Sequence, residues 1–114
     1  MATYTGTTGN DSLTGSTSAD YVYGGAGNDT INASGGMDTI YGGDGADSVN
    51  AGSGDDLVYT EGGNDTVVAS TGYDSIYGGA GNDNLSGGSD MWDDLYGGTG
   101  DDSLYGGDGV DSLD

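Results

Sequence analysis

The residues Gly24-Gly25-Ala26-Gly27-Asn28-Asp29-Thr30-Ile31-Asn32 decide the fold of this chain. They read as two glycines, a free position, a glycine, a free position, an aspartate, a free position, an aliphatic and a free position. The same frame runs from Gly6 to Asp114 as twelve units, beginning at Gly6, Gly15, Gly24, Ala33, Gly42, Ala51, Thr60, Ala69, Gly78, Gly87, Gly97 and Gly106. The tenth unit, Gly87–Tyr96, carries one extra residue, and Met1–Thr5 is a lead-in outside the frame. Two columns are unbroken. The sixth position is Asp11, Asp20, Asp29, Asp38, Asp47, Asp56, Asp65, Asp74, Asp83, Asp93, Asp102 and Asp111. The eighth is always aliphatic, from Leu13, Val22 and Ile31 through to Leu104 and Leu113. A fixed nine-residue period is the signature of a solenoid.

Local chemistry turns this frame into structure. The glycines suit turns, where positive φ or close backbone approach costs them little. Each unit is therefore expected to be a six-residue turn followed by a three-residue strand. Side chains alternate along a strand, so position eight points inward while seven and nine point out. Strands this short must stack on neighbours about 4.8 Å apart. No run between glycines is long enough for a helix, and no 3.6-residue apolar period exists. The ninth position reveals a longer period of eighteen: Tyr23, Tyr41, Tyr59, Tyr77 and Tyr96 fall in even units. One coil is thus two units, and the tyrosines form a ladder on one outer face. Position seven on the opposite face is Ser12, Thr30, Ser48, Thr66, Asn84 and Ser103.

Composition limits what such a chain does. It has no Lys, Arg or His, and its twenty acids give a formal charge of −20. Nothing in it neutralises phosphate, which excludes nucleic acid as a partner. An anionic membrane repels it for the same reason. There is no cysteine, and the missing His and Lys leave no ordinary nucleophile or base, so the chain is not read as an enzyme. Met1–Asn10 has neither a basic region nor an apolar run, so no signal peptide is expected. High charge, many glycines and few large apolar groups resemble a disordered composition. The bare polypeptide is expected not to fold alone; a divalent cation would both neutralise the carboxylates and hold the turns.

The repeat resembles the glycine-rich, calcium-binding nonapeptide of RTX (haemolysin-type) proteins. That resemblance implies an all-β, right-handed parallel β-roll of about six coils over residues 6–114, with Ca2+ between successive turns along each edge. It places the twelve sixth-position Asp carboxylates among the ligands. It also places turn carbonyls there: Gly24, Ala26 and Asn28; Gly42, Asp44 and Ala46; Gly78, Ala80 and Asn82; Gly97, Thr99 and Asp101. Six turns per edge leave five gaps per edge, hence about ten ions, whose charge would balance the chain's. Family members attach such rolls to toxins, proteases, lipases or adhesins and export them by a type I route. The resemblance therefore implies an extracellular or cell-surface structural, secretion or assembly module.

Several alternatives stay open at the level of sequence. The even-unit edge is the less regular, at Gly15–Ser18, Ala33–Gly36 and Ala69–Gly72, and the turn around Ser18 is the poorest match to a calcium turn. Thr60–Gly63 is the main exception on the other edge. The tyrosine ladder is either cross-strand stacking or a contact surface for another chain. The Met91-Trp92 insertion is either a local plug or a recognition point. A roll without caps could stack end to end into a filament. An ice-binding or adhesin module is the remaining alternative, although position seven shows no regular threonine comb.

Overall fold

The computed structural model describes residues 1–89 and 92–114. Among the described residues thirteen strands follow one another: β1 (Thr3–Thr5), β2 (Ser12–Thr14), β3 (Tyr21–Ala26), β4 (Thr30–Asn32), β5 (Thr39–Asp44), β6 (Ser48–Ser53), β7 (Leu57–Gly62), β8 (Thr66–Thr71), β9 (Ser75–Ala80), β10 (Asn84–Gly88), β11 (Asp94–Thr99), β12 (Ser103–Gly107) and β13 (Ser112–Leu113). Odd strands form one sheet in the order β1-β3-β5-β7-β9-β11-β13, and even strands form the other, β12-β10-β8-β6-β4-β2. Every pairing is parallel, and each residue sits beside the one a full coil away, as Ile40 beside Val58 and Ile31 beside Val49. The result is an all-β parallel roll of about six coils, measuring 36 × 32 × 12 Å.

The strands are longer than the frame suggests. In the middle coils they cover six residues, because the first three residues of each following unit keep pairing, as Gly43 with Gly25. The burial of β3 and β6 alternates along their first four residues, so position one faces inward as position eight does. The interior therefore has two columns. The larger is Val22, Ile31, Ile40, Val49, Val58, Val67, Ile76, Leu85 and Leu95; the smaller includes Ala33, Ala51 and Ala69. Thr60, also at position one, is fully buried and donates its hydroxyl to the Gly78 carbonyl at 2.9 Å. A slab this thin leaves room for one large and one small layer only.

The lead-in belongs to the sheet. Thr3–Thr5 pairs with Tyr21–Tyr23, and Tyr4 packs against the core in the place of an eighth-position residue. The extra residue of the tenth unit leaves the register intact. Gly88 pairs with Ser70 before it, and Asp94 pairs with Ser75 after it, one residue beyond the usual spacing. Of the Met91-Trp92 pair, Met91 lies outside the described residues.

What remains of each turn is short and sharply bent. Gly27 adopts φ 109°, and a Cβ there would lie 2.6 Å from the Gly9 carbonyl oxygen one coil away. From the third unit on, position two is left-handed even where it is not glycine: Ser34 (φ 83°), Glu61 (φ 70°) and Ser70 (φ 89°) hold conformations that cost an L-residue about 1–2 kcal/mol.

Candidate metal centre

The roll gathers the twelve aspartates into two ladders, one per edge. Asp11, Asp29, Asp47, Asp65, Asp83 and Asp102 line the edge made by odd units; Asp20, Asp38, Asp56, Asp74, Asp93 and Asp111 line the other. Nine of them, Asp20 through Asp93, are buried, while Asp11, Asp102 and Asp111 near the ends are partly covered. Each ladder is tied by the same bond. The Asp29 amide donates to Asp47 Oδ1 at 2.8 Å, Asp47 to Asp65 at 2.8 Å and Asp65 to Asp83 at 2.9 Å. On the other edge Asp20 donates to Asp38 at 2.8 Å, Asp38 to Asp56 at 2.8 Å and Asp56 to Asp74 at 2.9 Å. The amide at the end of a turn would otherwise lack a partner, which is why one carboxylate oxygen per coil is needed there.

The second oxygen is different. Oδ2 of Asp29, Asp38, Asp47, Asp56, Asp65 and Asp83 is buried and has no hydrogen-bond partner among the described residues. A buried carboxylate with an unpaired oxygen is unfavourable unless it gains a proton or a cation. The acidities register this. Burial pushes Asp38, Asp47 and Asp83 upward, opposed in part by the bond from the preceding Asp amide. Burial raises Asp56 to about 7 and Asp65 to about 6, and neighbouring carboxylates add to the rise.

Those oxygens border a space kept open by the small residue at position one. A Cβ on Gly24 would fall 2.6 Å from Asp29 Oδ2 and against the Gly42 carbonyl oxygen. On Gly42 it would meet Asp47 Oδ2 at 2.6 Å, and on Gly78 the Gly97 carbonyl oxygen at 2.7 Å, with Asp83 Oδ2 beside it. A recess lined by carboxylate and carbonyl oxygens suits a hard cation, and calcium takes six to eight oxygens of both kinds. No group of three acidic side chains converges among the described residues, so carbonyls must complete any such shell.

The other proposed backbone ligands have visible duties. Position-three carbonyls already accept one bond between coils: Asp44 from Gly27 at 2.9 Å, Ala80 from Gly63 at 2.8 Å and Thr99 from Gly81 at 2.9 Å. Ala26 ends β3 in the equivalent place. At position five, the amides of Asn28, Ala46, Asn82 and Asp101 donate to Oδ1 of Asn10, Asn28, Asn64 and Asn82, respectively. This asparagine ladder on the odd edge was visible in the sequence only as Asn recurring at position five.

The first two turns depart from the rest. Thr7 donates its amide (2.5 Å) and its hydroxyl (2.9 Å) to Asp11 Oδ2. Ser16 does the same to Asp20 Oδ2, both at 2.7 Å. The Ser16 amide bond holds the Asp20 carboxyl below its ordinary value.

Outside the Asp ladders, Tyr23, Tyr41, Tyr59, Tyr77 and Tyr96 stack with centroids 4.7 to 5.3 Å apart and planes within 15°. On the even edge, exposed Tyr73, Trp92 and Val110 border a cavity of about 420 Å³ beside Asp74, Asp94 and Asp111. Sequence reading marked Trp92 but missed that Tyr73 and Val110 occupy the same place in the preceding and following coils.

A family model for the RTX calcium-binding nonapeptide repeat (4 copies) matches residues 5–36, 23–58, 32–67, 59–90 and 88–114. No curated protein and no solved structure matches the chain.

Proposed function

Because this chain belongs to the RTX calcium-binding nonapeptide repeat family, we propose that calcium seated between successive turns supplies the order its interior lacks. The chain is a calcium-binding β-roll module. The observation that carries the proposal is the set of buried Asp Oδ2 atoms without a partner, at Asp29, Asp38, Asp47, Asp56, Asp65 and Asp83. These carboxylates, with the other Asp of each ladder from the third turn onward and the carbonyls of positions one, three and five, would hold the ions. Bound calcium neutralises the stacked carboxylates and cross-links neighbouring turns.

The chain's own residues account for the coupling. Stacked carboxylates one coil apart repel each other, and no basic residue offsets them. Their Oδ1 atoms still align the turn amides of the preceding coil, so a cation that relieves repulsion also fixes register. Extracellular calcium modules bind in the range of about 0.1–1 mM. At cytosolic calcium such a chain stays expanded and competent for export; outside the cell it folds. Proteins built from RTX repeats are generally secreted, which favours an extracellular or cell-surface site and a type I route. In that setting the roll serves as a structural, secretion or assembly module, with no catalytic duty.

Within this reading the tyrosine ladder stabilises its sheet, since the rings turn their faces to one another. Light scattering with and without calcium tests end-to-end stacking, and thermal hysteresis tests ice binding. The central experiment is far-UV circular dichroism across a calcium titration with chelator reversal. At neutral pH, strand signal should appear cooperatively with calcium and vanish with EDTA; a roll that keeps its strands after exhaustive EDTA dialysis at pH 7 overturns the proposal.

A further inference from the structure

We propose that the first two turns of the roll are closed by the chain itself and take no calcium, and that Thr7 and Ser16 decide this. The inference rests on the calcium reading above. In the interior turns, position two is left-handed, as at Gly25 (φ 110°), Gly43 (φ 103°) and Ser34 (φ 83°). Thr7 and Ser16 are the position-two residues of the first two units and do not adopt positive φ. That one backbone difference turns their amides toward the carboxylate of their own turn. Asp11 Oδ2 receives the Thr7 amide and hydroxyl, and Asp20 Oδ2 receives the Ser16 amide and hydroxyl.

A hydroxyl alone does not produce this state. Ser34 carries one too, yet in its left-handed conformation it leaves Asp38 Oδ2 without a partner. In the closed turns the hydroxyl also accepts a bond from the amide two residues on, Gly9 to Thr7 and Ser18 to Ser16, each at 3.2 Å. It thereby relays from backbone to carboxylate and closes the turn at both ends. Ser18 stands where other turns have a left-handed glycine, and the closed turn has no need of one.

The oxygen that interior turns keep open toward a cation is therefore occupied in these two by donors from within five residues. A carboxylate oxygen holding two such bonds would have to give them up to coordinate metal. Each edge thus loses its first gap, and the expected count falls from about ten ions to about eight. The first two turns form a metal-independent start on which the calcium-bound coils build.

The test is calcium stoichiometry by equilibrium dialysis at saturating calcium, for the wild type, Ser16→Gly and the double variant Thr7→Gly/Ser16→Gly. The proposal expects about eight ions in the wild type, one more in S16G and two more in the double variant. A wild-type count of ten, or counts that the glycine substitutions leave unchanged, overturns it. Should the double variant fail to fold, the wild type and S16G decide alone. A wild type that binds no calcium instead sinks the calcium reading itself, so the two failures are distinguishable. As a readout without stoichiometry, the Thr7 and Ser16 amides in the calcium-loaded protein should exchange slowly in the wild type. They should lose that protection in Asp11→Ala and Asp20→Ala, respectively; fast exchange in the wild type counts against closure.

Discussion

The two edges of the roll carry the same aspartate ladder on different surroundings. On the odd edge, Asn10, Asn28, Asn64 and Asn82 bind position-five amides of the next coil at 2.8 to 3.0 Å, a second ladder outside the first. On the even edge the corresponding places include Met37, Tyr73 and Val110, 65 %, 53 % and 71 % exposed, while Asp55 makes a comparable bond, accepting from the Tyr73 amide. Yet the Asp-to-Asp bonds are alike on both sides. The difference teaches that the register needs only the sixth-position Asp, the inward aliphatic and a small first residue. Positions two and five are free to differ, and one edge uses them for rigidity while the other exposes apolar side chains.

The equivalence of the ladders is open to breakage, beginning with the largest effect. Chelation of calcium at neutral pH should abolish strand signal at both edges in a single transition; two separated transitions would show that the edges order independently. Next come the carboxylates themselves. Asp47→Ala on the odd edge and Asp56→Ala on the even edge each remove a proposed ligand and a ladder bond. Each should raise the calcium midpoint several-fold by circular dichroism, and by similar factors, while Asp108→Ala, on the exposed surface, should do little.

A third effect comes from pH. Asp56 and Asp65, one per edge, have folded values raised to about 7 and about 6 from an ordinary 3.8. A group raised in the fold contributes stability that is fully present below its unfolded value and is lost as pH rises through the folded one. In EDTA, residual strand content should therefore be greatest near pH 4 and fall toward pH 7. For the same reason calcium binding near pH 6 should release protons, measurable in buffers of different ionisation enthalpy. No proton release would contradict the burial of these carboxylates.

Smaller effects sharpen the contrast. Asn64→Ala deletes the acceptor for the Asn82 amide and should lower the melting temperature of the calcium-loaded roll, at a cost of about 1 kcal/mol. Tyr73→Ser on the even edge keeps its amide bond to Asp55 and should leave stability almost unchanged. Smallest of all, Ser34→Gly relieves a left-handed serine and should stabilise by less than about 1 kcal/mol, part of the gain being lost to chain entropy.

Much of this was legible because the repeat is its own alignment. The eighth-position column, Val22 through Leu95, gave the interior, and the eighteen-residue recurrence of Tyr23, Tyr41, Tyr59, Tyr77 and Tyr96 gave the coil and the stacked ladder. Strand length was not legible. The residues that lengthen the strands are glycines and small residues such as Gly24 and Ala51, which read as turn formers although their backbones stay paired. The same ambiguity hid position one as a second inward column. Thr3–Thr5 was missed because the frame was recognised by its glycines and Asp, and a half-coil made of strand alone contains neither. The irregular turn around Ser18 was visible as a departure. Its cause was not, because the reach of the Ser16 hydroxyl depends on the sign of one backbone angle that the letters do not carry.

The 12 Å thickness of the slab has a consequence for growth. A globular domain that gains residues encloses a larger share of them, so size alone eventually makes it self-sufficient. Here every added coil brings the same thin slice of interior and the same pair of acidic corners. On the calcium reading proposed above, lengthening such a protein multiplies its need for mineral in proportion, and no number of repeats would outgrow it.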